Sequence, residues 1–131
     1  MNIKNYTAHP LLFYREEDVN YASNVRKYFV KNGAEPYLEV PSLGMLSVAF
    51  ENQKIVDGEI PVYQRTVLRL DTLPERESEN DMVVVSAVYA TVYSNYRMTA
   101  GMPPYPLYSV KDVVYDRNGA PAGCLGLLMV S

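Results

Sequence analysis

Apolar and polar positions change over in short segments along most of this chain, and a helical period emerges in only two places. Ile3, Tyr6 and the apolar stretch 11–14 surround Pro10, which predicts a strand, a turn and a second strand within residues 2–15, the first at a sheet edge. From 16 to 32, Val19, Ala22, Val25 and Phe29 recur at three- and four-residue steps, preceded by Glu16, Glu17 and Asp18 and accompanied towards the end by Arg26, Lys27 and Lys31. That spacing and charge order predict a helix stopped by Asn32-Gly33. Residues 45–56 and 60–70 read as two strands joined across Asp57-Gly58 into an antiparallel hairpin.

The mixed-charge run 72–81 predicts a solvated loop. Continuous β-branched residues at 83–85 predict a buried strand ending near Ser86, and the following segment to 97 begins a helix. A helix there places Tyr89, Tyr93 and Tyr96 on one stripe, which suits either a core or a stacking platform. Gly101, Pro103, Pro104 and Pro106 make 98–106 an irregular loop, and the chain closes with a hairpin of 109–115 and 122–130 around Asp116-Arg117-Asn118-Gly119. Strands dominate, so the expected fold is α+β: a single small domain over 1–131, an antiparallel sheet of hairpins with one or two helices, and 16–32 as a helical insertion.

Bulk composition narrows the classes of function. At 131 residues the chain suffices for one core, and its apolar and charged fractions are those of a globular domain. A net charge of -3 argues against gripping long nucleic acid, which wants a basic face. No apolar stretch approaches the ~20 residues that span a bilayer, and no signal-peptide pattern opens the chain. Cys124 is the only cysteine, so an intramolecular disulfide is excluded and a reducing cytoplasm is the expected setting. The chain has 12 tyrosines and no tryptophan, an excess that suits half-buried strands or a surface on which flat ligands stack.

Few residues carry a recognisable chemistry. Neither a phosphate-binding glycine loop nor a metal-ligand spacing occurs, and no cofactor is expected. Ser86, His9 and Asp112 can be written as a triad, but no nucleophile elbow frames the serine. Asn5, Thr7 and the sole histidine, His9, lie two apart, so an extended segment puts their polar tips on one face. That face either fixes a turn before Pro10 or lines a pocket. Tyr105 and Tyr108, with Arg65, Arg69, Arg97 and Lys111, supply what a nucleotide site needs: rings on which a base stacks and cations that hold a phosphate.

The segment Asn5-Tyr6-Thr7-Ala8-His9-Pro10 resembles the opening Asn-Leu-Thr-Pro-His-Pro of a group of small phage and prophage proteins. The resemblance continues in order through Pro41-Ser42-Leu43-Gly44, Ile60-Pro61-Val62, Leu73-Pro74, Val85-Ser86, Val110-Lys111-Asp112 and Gly123-Cys124-Leu125-Gly126. Ala8 departs from the proline of the opening, and a helix at 16–32 departs from a short hairpin. The resemblance implies a phage-encoded accessory protein, a class often directed at host defence.

The expectation that follows is a non-enzymatic sponge, acting in the cytoplasm of the infected cell, that sequesters a cyclic oligonucleotide or cyclic ADP-ribose type of signal. Its site would draw on Asn5, Thr7, His9, Arg65, Arg69, Ser86, Tyr89, Arg97, Tyr105, Tyr108 and Lys111, and a homo-oligomer would enclose the ligand at subunit interfaces. Two other readings compete with it: cleavage of such a nucleotide with His9 as acid or base, and inhibition of a host factor through the 16–32 helix.

Overall fold

A computed structural model describes residues 2–100 and 106–130, with the backbone alone at 98–100. The strands are β1 (Asn2–Asn5), β2 (Leu11–Phe13), β3 (Val19–Ala22), β4 (Lys27–Val30), β5 (Leu38–Val40), β6 (Val48–Val56), β7 (Val62–Leu70), β8 (Asp81–Val84), β9 (Leu107–Tyr115) and β10 (Pro121–Val130). One helix, α1 (Ala87–Ala100), follows β8. The α+β class dominated by strands is therefore the observed one. Eight strands form one mixed sheet in the order β1-β8-β9-β10-β2-β5, with the β3–β4 hairpin attached through β4 to the far end of β9.

Parallel pairs join the hairpins into this sheet. β1 lies parallel to β8 with Asn2 opposite Asp81 and Asn5 opposite Val84, while β9 runs parallel to both β8 and β4. β10 is antiparallel to β9 and parallel to β2 at Cys124 and Phe13, so the last strand in sequence sits inside the sheet. The 83–85 valine run is continuous because both faces of β8 are covered. Val83 and Val85 turn to one side, with Tyr89, Ala90 and Leu107; Val84 turns to the other, with Leu11, Phe13 and Cys124. A third cluster of Tyr14, Val19 and Val114 lies under the β3–β4 hairpin.

The helix expected over 16–32 is not formed. Glu16–Asp18 makes a single 3-10 turn, and the rest is the β3–β4 hairpin, paired from Val19 with Val30 to Ala22 with Lys27. Its turn puts Arg26 in the left-handed region at φ 55°, which no continuing helix permits. Val19, Tyr21, Tyr28, Phe29 and Val30 are β-branched or aromatic, and β9 offers a free edge for Tyr28 and Phe29. Val25, which a helical face would bury, stands 49% exposed at the turn. The charge order at the segment's two ends therefore belongs to a turn and a hairpin rather than to a helix dipole.

Two smaller boundaries also move. Asp81, assigned by its charged neighbours to a solvated loop, is buried at the start of β8 and accepts hydrogen bonds from Asn2 Nδ2 at 2.9 Å and from the Glu77 and Ser78 N–H groups at 3.2 Å. Met98, Thr99 and Ala100, assigned to the proline-rich loop, complete α1. The remainder of that loop at 101–105 lies outside the described residues.

Candidate functional site

Among the described residues β6 and β7 pair only with each other, forming a two-stranded sheet apart from the main one. Strands of nine residues reach about 30 Å. At the root of this arm Val48 stands opposite Leu70, and both pack with Leu46 and Leu73 against the Val83, Tyr89 and Leu107 cluster. Beyond the root both strands are exposed from residue 51 to residue 69.

Asp71 closes the root of the arm with its side chain and ties that root to the body with its carbonyl. Its carboxylate accepts the Ser47 N–H at 2.7 Å and the Ser47 hydroxyl at 3.0 Å, and Arg69 Nε lies 3.8 Å from its other oxygen. These hydrogen bonds from Ser47 come first, and Arg69 adds to them, in holding the Asp71 carboxyl below the usual carboxylate value against the opposing effect of burial. The Asp71 carbonyl in turn accepts the Tyr89 hydroxyl at 2.7 Å. Tyr89 is fully enclosed, and burial, with smaller contributions from Tyr93 and Asp71, pushes its phenol up to about 12. It is a core residue and a tether rather than a ligand platform.

Between the arm and the helix lies a cleft of about 730 Å³, lined by residues 67–73 of β7 and its exit and by Val92, Tyr93, Asn95 and Tyr96 of α1. Ser86 sets the start of that helix, since its hydroxyl accepts the Tyr89 N–H at 3.1 Å as an N-cap. Spacing of four and three then grades the tyrosine stripe from inside to outside. Tyr89 is buried, Tyr93 is half-buried and stacked on it at 6.2 Å and 12° between planes, and Tyr96 is 56% exposed at the cleft. Val67, Leu70, Leu73 and Arg69 line the same cleft from β7 and its exit.

Of the residues expected at a site, Arg69 alone lines this cleft. Arg65 lies farther out on the arm, with its guanidinium 4.9 Å from the Phe50 ring centre and Nε 3.2 Å from Asn52 Oδ1. Arg97 is the helix position after Tyr96 and does not line the cleft. Tyr108 packs against the Leu11, Phe13 and Cys124 cluster on the opposite side of the sheet, and Lys111 pairs with its neighbour Asp112 at 3.9 Å on β9. Tyr105 lies outside the described residues. Of the aromatic and cationic pocket expected from Tyr105, Tyr108, Arg65, Arg69, Arg97 and Lys111, the described residues do not converge, because the strand pairing distributes them over the arm, the helix and β9.

Asn5, Thr7 and His9 do come together, but they close on backbone. Asn5 is fully buried; its Nδ2 donates to the His9 carbonyl at 2.9 Å and the Val40 carbonyl at 3.2 Å, and its Oδ1 accepts from Thr7 N at 3.0 Å and Thr7 Oγ1 at 2.6 Å. Thr7 Oγ1 also lies 3.0 Å from the His9 carbonyl, and Ser42 donates to the Thr7 carbonyl. His9 contributes its carbonyl to this knot while the residue as a whole is exposed.

Tyr93, Tyr96, Asn95 and Asp71 were not among the expected site residues. The stripe spacing of Tyr89, Tyr93 and Tyr96 was the available signal, but it does not say which ring faces outward. Among the described residues no group of three or more histidine, cysteine or carboxylate side chains is placed to hold a metal ion, and no helix is long and apolar enough to cross a membrane. Compared with protein-family models, curated proteins and solved structures, the chain gives no match.

Proposed function

We propose that this chain is a non-enzymatic binding protein that captures a small nucleotide in the cleft between β7 and α1. The observation that carries the reading is that Tyr93, Tyr96 and Arg69 line one cleft together with the apolar Val67, Leu70 and Leu73. A base stacks on an exposed tyrosine at little cost in side-chain order, and a guanidinium meets a phosphate with two parallel hydrogen bonds. The cleft volume falls within the range of small-molecule sites. In keeping with the resemblance carried by residues 5–10 and the ordered segments after them, the ligand class is a cyclic oligonucleotide or cyclised ADP-ribose signal of host defence. The setting is the cytoplasm of an infected cell.

Isothermal titration against a panel of cyclic dinucleotides and cyclic ADP-ribose tests this directly. Tight binding to one member is expected, with intact ligand recovered after denaturation. Tyr96→Ala should weaken it by about 1–3 kcal/mol, the range for loss of one stacked base, and Arg69→Gln should weaken it further when the ligand carries phosphate. Failure to bind any member, or indifference of a bound ligand to both substitutions, rejects the reading. Ligand degraded by the wild type but left intact by His9→Ala would establish the enzymatic alternative instead. The inhibitor reading that needed a helix at 16–32 loses its element, since that segment is a hairpin.

A further inference from the structure

We infer that Asn32-Gly33 is a site of spontaneous covalent modification, where the asparagine closes a succinimide on the following backbone nitrogen and reopens to aspartate and isoaspartate. The inference does not rest on the nucleotide reading. Both Asn-Gly pairs of the chain, Asn32-Gly33 and Asn118-Gly119, are exposed, and the fold brings their turns together through a hydrogen bond from Arg117 Nη2 to Asn32 Oδ1 at 2.8 Å. A glycine after asparagine leaves its nitrogen open to the side-chain carboxamide, because no Cβ stands in the way. Gly33 at φ 83° and Gly119 at φ 82° each have nothing within 4 Å of the place a Cβ would take.

Hydrogen bonding tells the two pairs apart. The Gly119 N–H donates to the Asp116 carbonyl at 3.0 Å, and the Asp116 carboxylate accepts the Asn118 N–H at 2.9 Å and the Ala120 N–H at 3.0 Å. The nitrogen that would attack Asn118 is therefore tied inside its turn, which is clamped on both sides of it. The turn at 31–34 is closed one residue later, from the Ala34 N–H to the Lys31 carbonyl at 3.0 Å, and among the described residues the Gly33 N–H has no acceptor.

Arg117 supplies the second element. The Gly33 nitrogen gives its proton to solvent base and bonds to Asn32 Cγ, and the negative charge develops on Oδ1, the atom that Arg117 Nη2 already meets. A donor set on the atom that takes up charge lowers the barrier to that step. The Cγ–Nδ2 bond then breaks, Nδ2 takes up a proton and leaves as ammonia, and a cyclic imide remains. Water adds to either of its carbonyls: rupture of the new Cγ–N bond gives aspartate, and rupture of the original peptide bond to Gly33 gives isoaspartate. Water is the only co-reactant. Aspartate at this position offers Arg117 a carboxylate in place of a neutral amide, so a charge-assisted pair replaces the hydrogen bond and favours the product.

Ageing the purified full chain in mildly alkaline buffer, followed by peptide mapping with mass spectrometry, reads conversion at the two pairs separately. Conversion at Asn32 is expected to run about two- to tenfold faster than at Asn118, the difference in rate that one hydrogen bond on the attacking nitrogen supplies. The local sequences Lys31-Asn32-Gly33-Ala34 and Arg117-Asn118-Gly119-Ala120 are nearly the same, so ageing in concentrated urea should erase the difference. Arg117→Ala should slow conversion at Asn32 in the folded chain by about two- to fivefold, as an exposed charged contact allows, and Asn32→Gln should remove the main acidic species on ion exchange. Equal rates at the two pairs in the folded chain, faster conversion at Asn118, or a preference that persists in urea overturns the inference. So does an Arg117→Ala variant that converts as fast as wild type, or an acidic species that survives Asn32→Gln.

Discussion

Asn5 uses every donor and acceptor of its carboxamide on backbone and on Thr7, while His9, four residues on, contributes a carbonyl and no buried ring. The two residues should therefore separate sharply in stability. Asn5→Ala removes the partners of the Val40 carbonyl and the Thr7 N–H and leaves a gap at a fully buried position, and is expected to cost about 1–3 kcal/mol, read as a lowered urea midpoint. His9→Ala should stay within about 0.5 kcal/mol, as exposed substitutions do. The spacing of Asn5, Thr7 and His9 made their shared face legible in the sequence. Its destination was not, because the groups that turn it inward, the Val40 carbonyl and the Ser42 hydroxyl, arrive from a segment with no local tie to it. Much the same holds for Tyr96, whose helical phase was legible while the arm that makes a cleft of its surroundings was not.

Among the elements, those fixed by local chemistry were legible: the hairpin across Asp57-Gly58, the hairpin closed by Gly119 at φ 82°, and the change from strand to helix at Ser86. The 19–30 hairpin was not, since a three- and four-residue spacing of apolar side chains also fits two short strands when an edge of β9 is waiting. β10 offers a sharper test of what an element needs. A side-chain carbon added at Gly123 would run into the Leu12 carbonyl and sit 2.8 Å from the Tyr14 ring, whereas Gly126 has open space around it. Gly123→Ala is expected to destabilise by about 1–3 kcal/mol through overpacking. Gly126→Ala should be neutral or slightly stabilising, since an extended backbone accepts alanine and the unfolded chain loses freedom. Thermal unfolding of the two variants side by side makes the comparison.

For the molecule as a whole, two carboxylates hold segments apart in sequence together. Asp71 joins the two ends of the arm through Ser47, and Asp81 joins the 77–78 turn to Asn2 at the start of β1. Burial works against the Asp81 charge, but Asn2, the Ser78 and Glu77 N–H groups and nearby Lys4 outweigh it, and its carboxyl lies below the usual value, as does that of Asp71. A carboxyl lowered in the folded state binds its proton more readily in the unfolded one. Its contribution is therefore present above the unfolded-state value and fades as pH falls through the folded-state value. Urea midpoints should decline in acid, from about pH 5 downward, and Asp81→Asn should lower the midpoint at neutral pH while flattening that decline. An undiminished acid slope in Asp81→Asn counts against this assignment.

The position of β10 bears on the order in which the chain comes together during synthesis. Its Cys124 bridges Phe13 of β2 and Val113 of β9, so β2 and β5 meet the body of the sheet through a strand made after β9. A nascent chain stopped before residue 121 has the β6–β7 arm and the β1 and β8 segments, yet nothing to lie between β9 and β2. Its apolar β2 stays uncovered until β10 has been made, so the sheet closes through a pairing of residues more than a hundred positions apart.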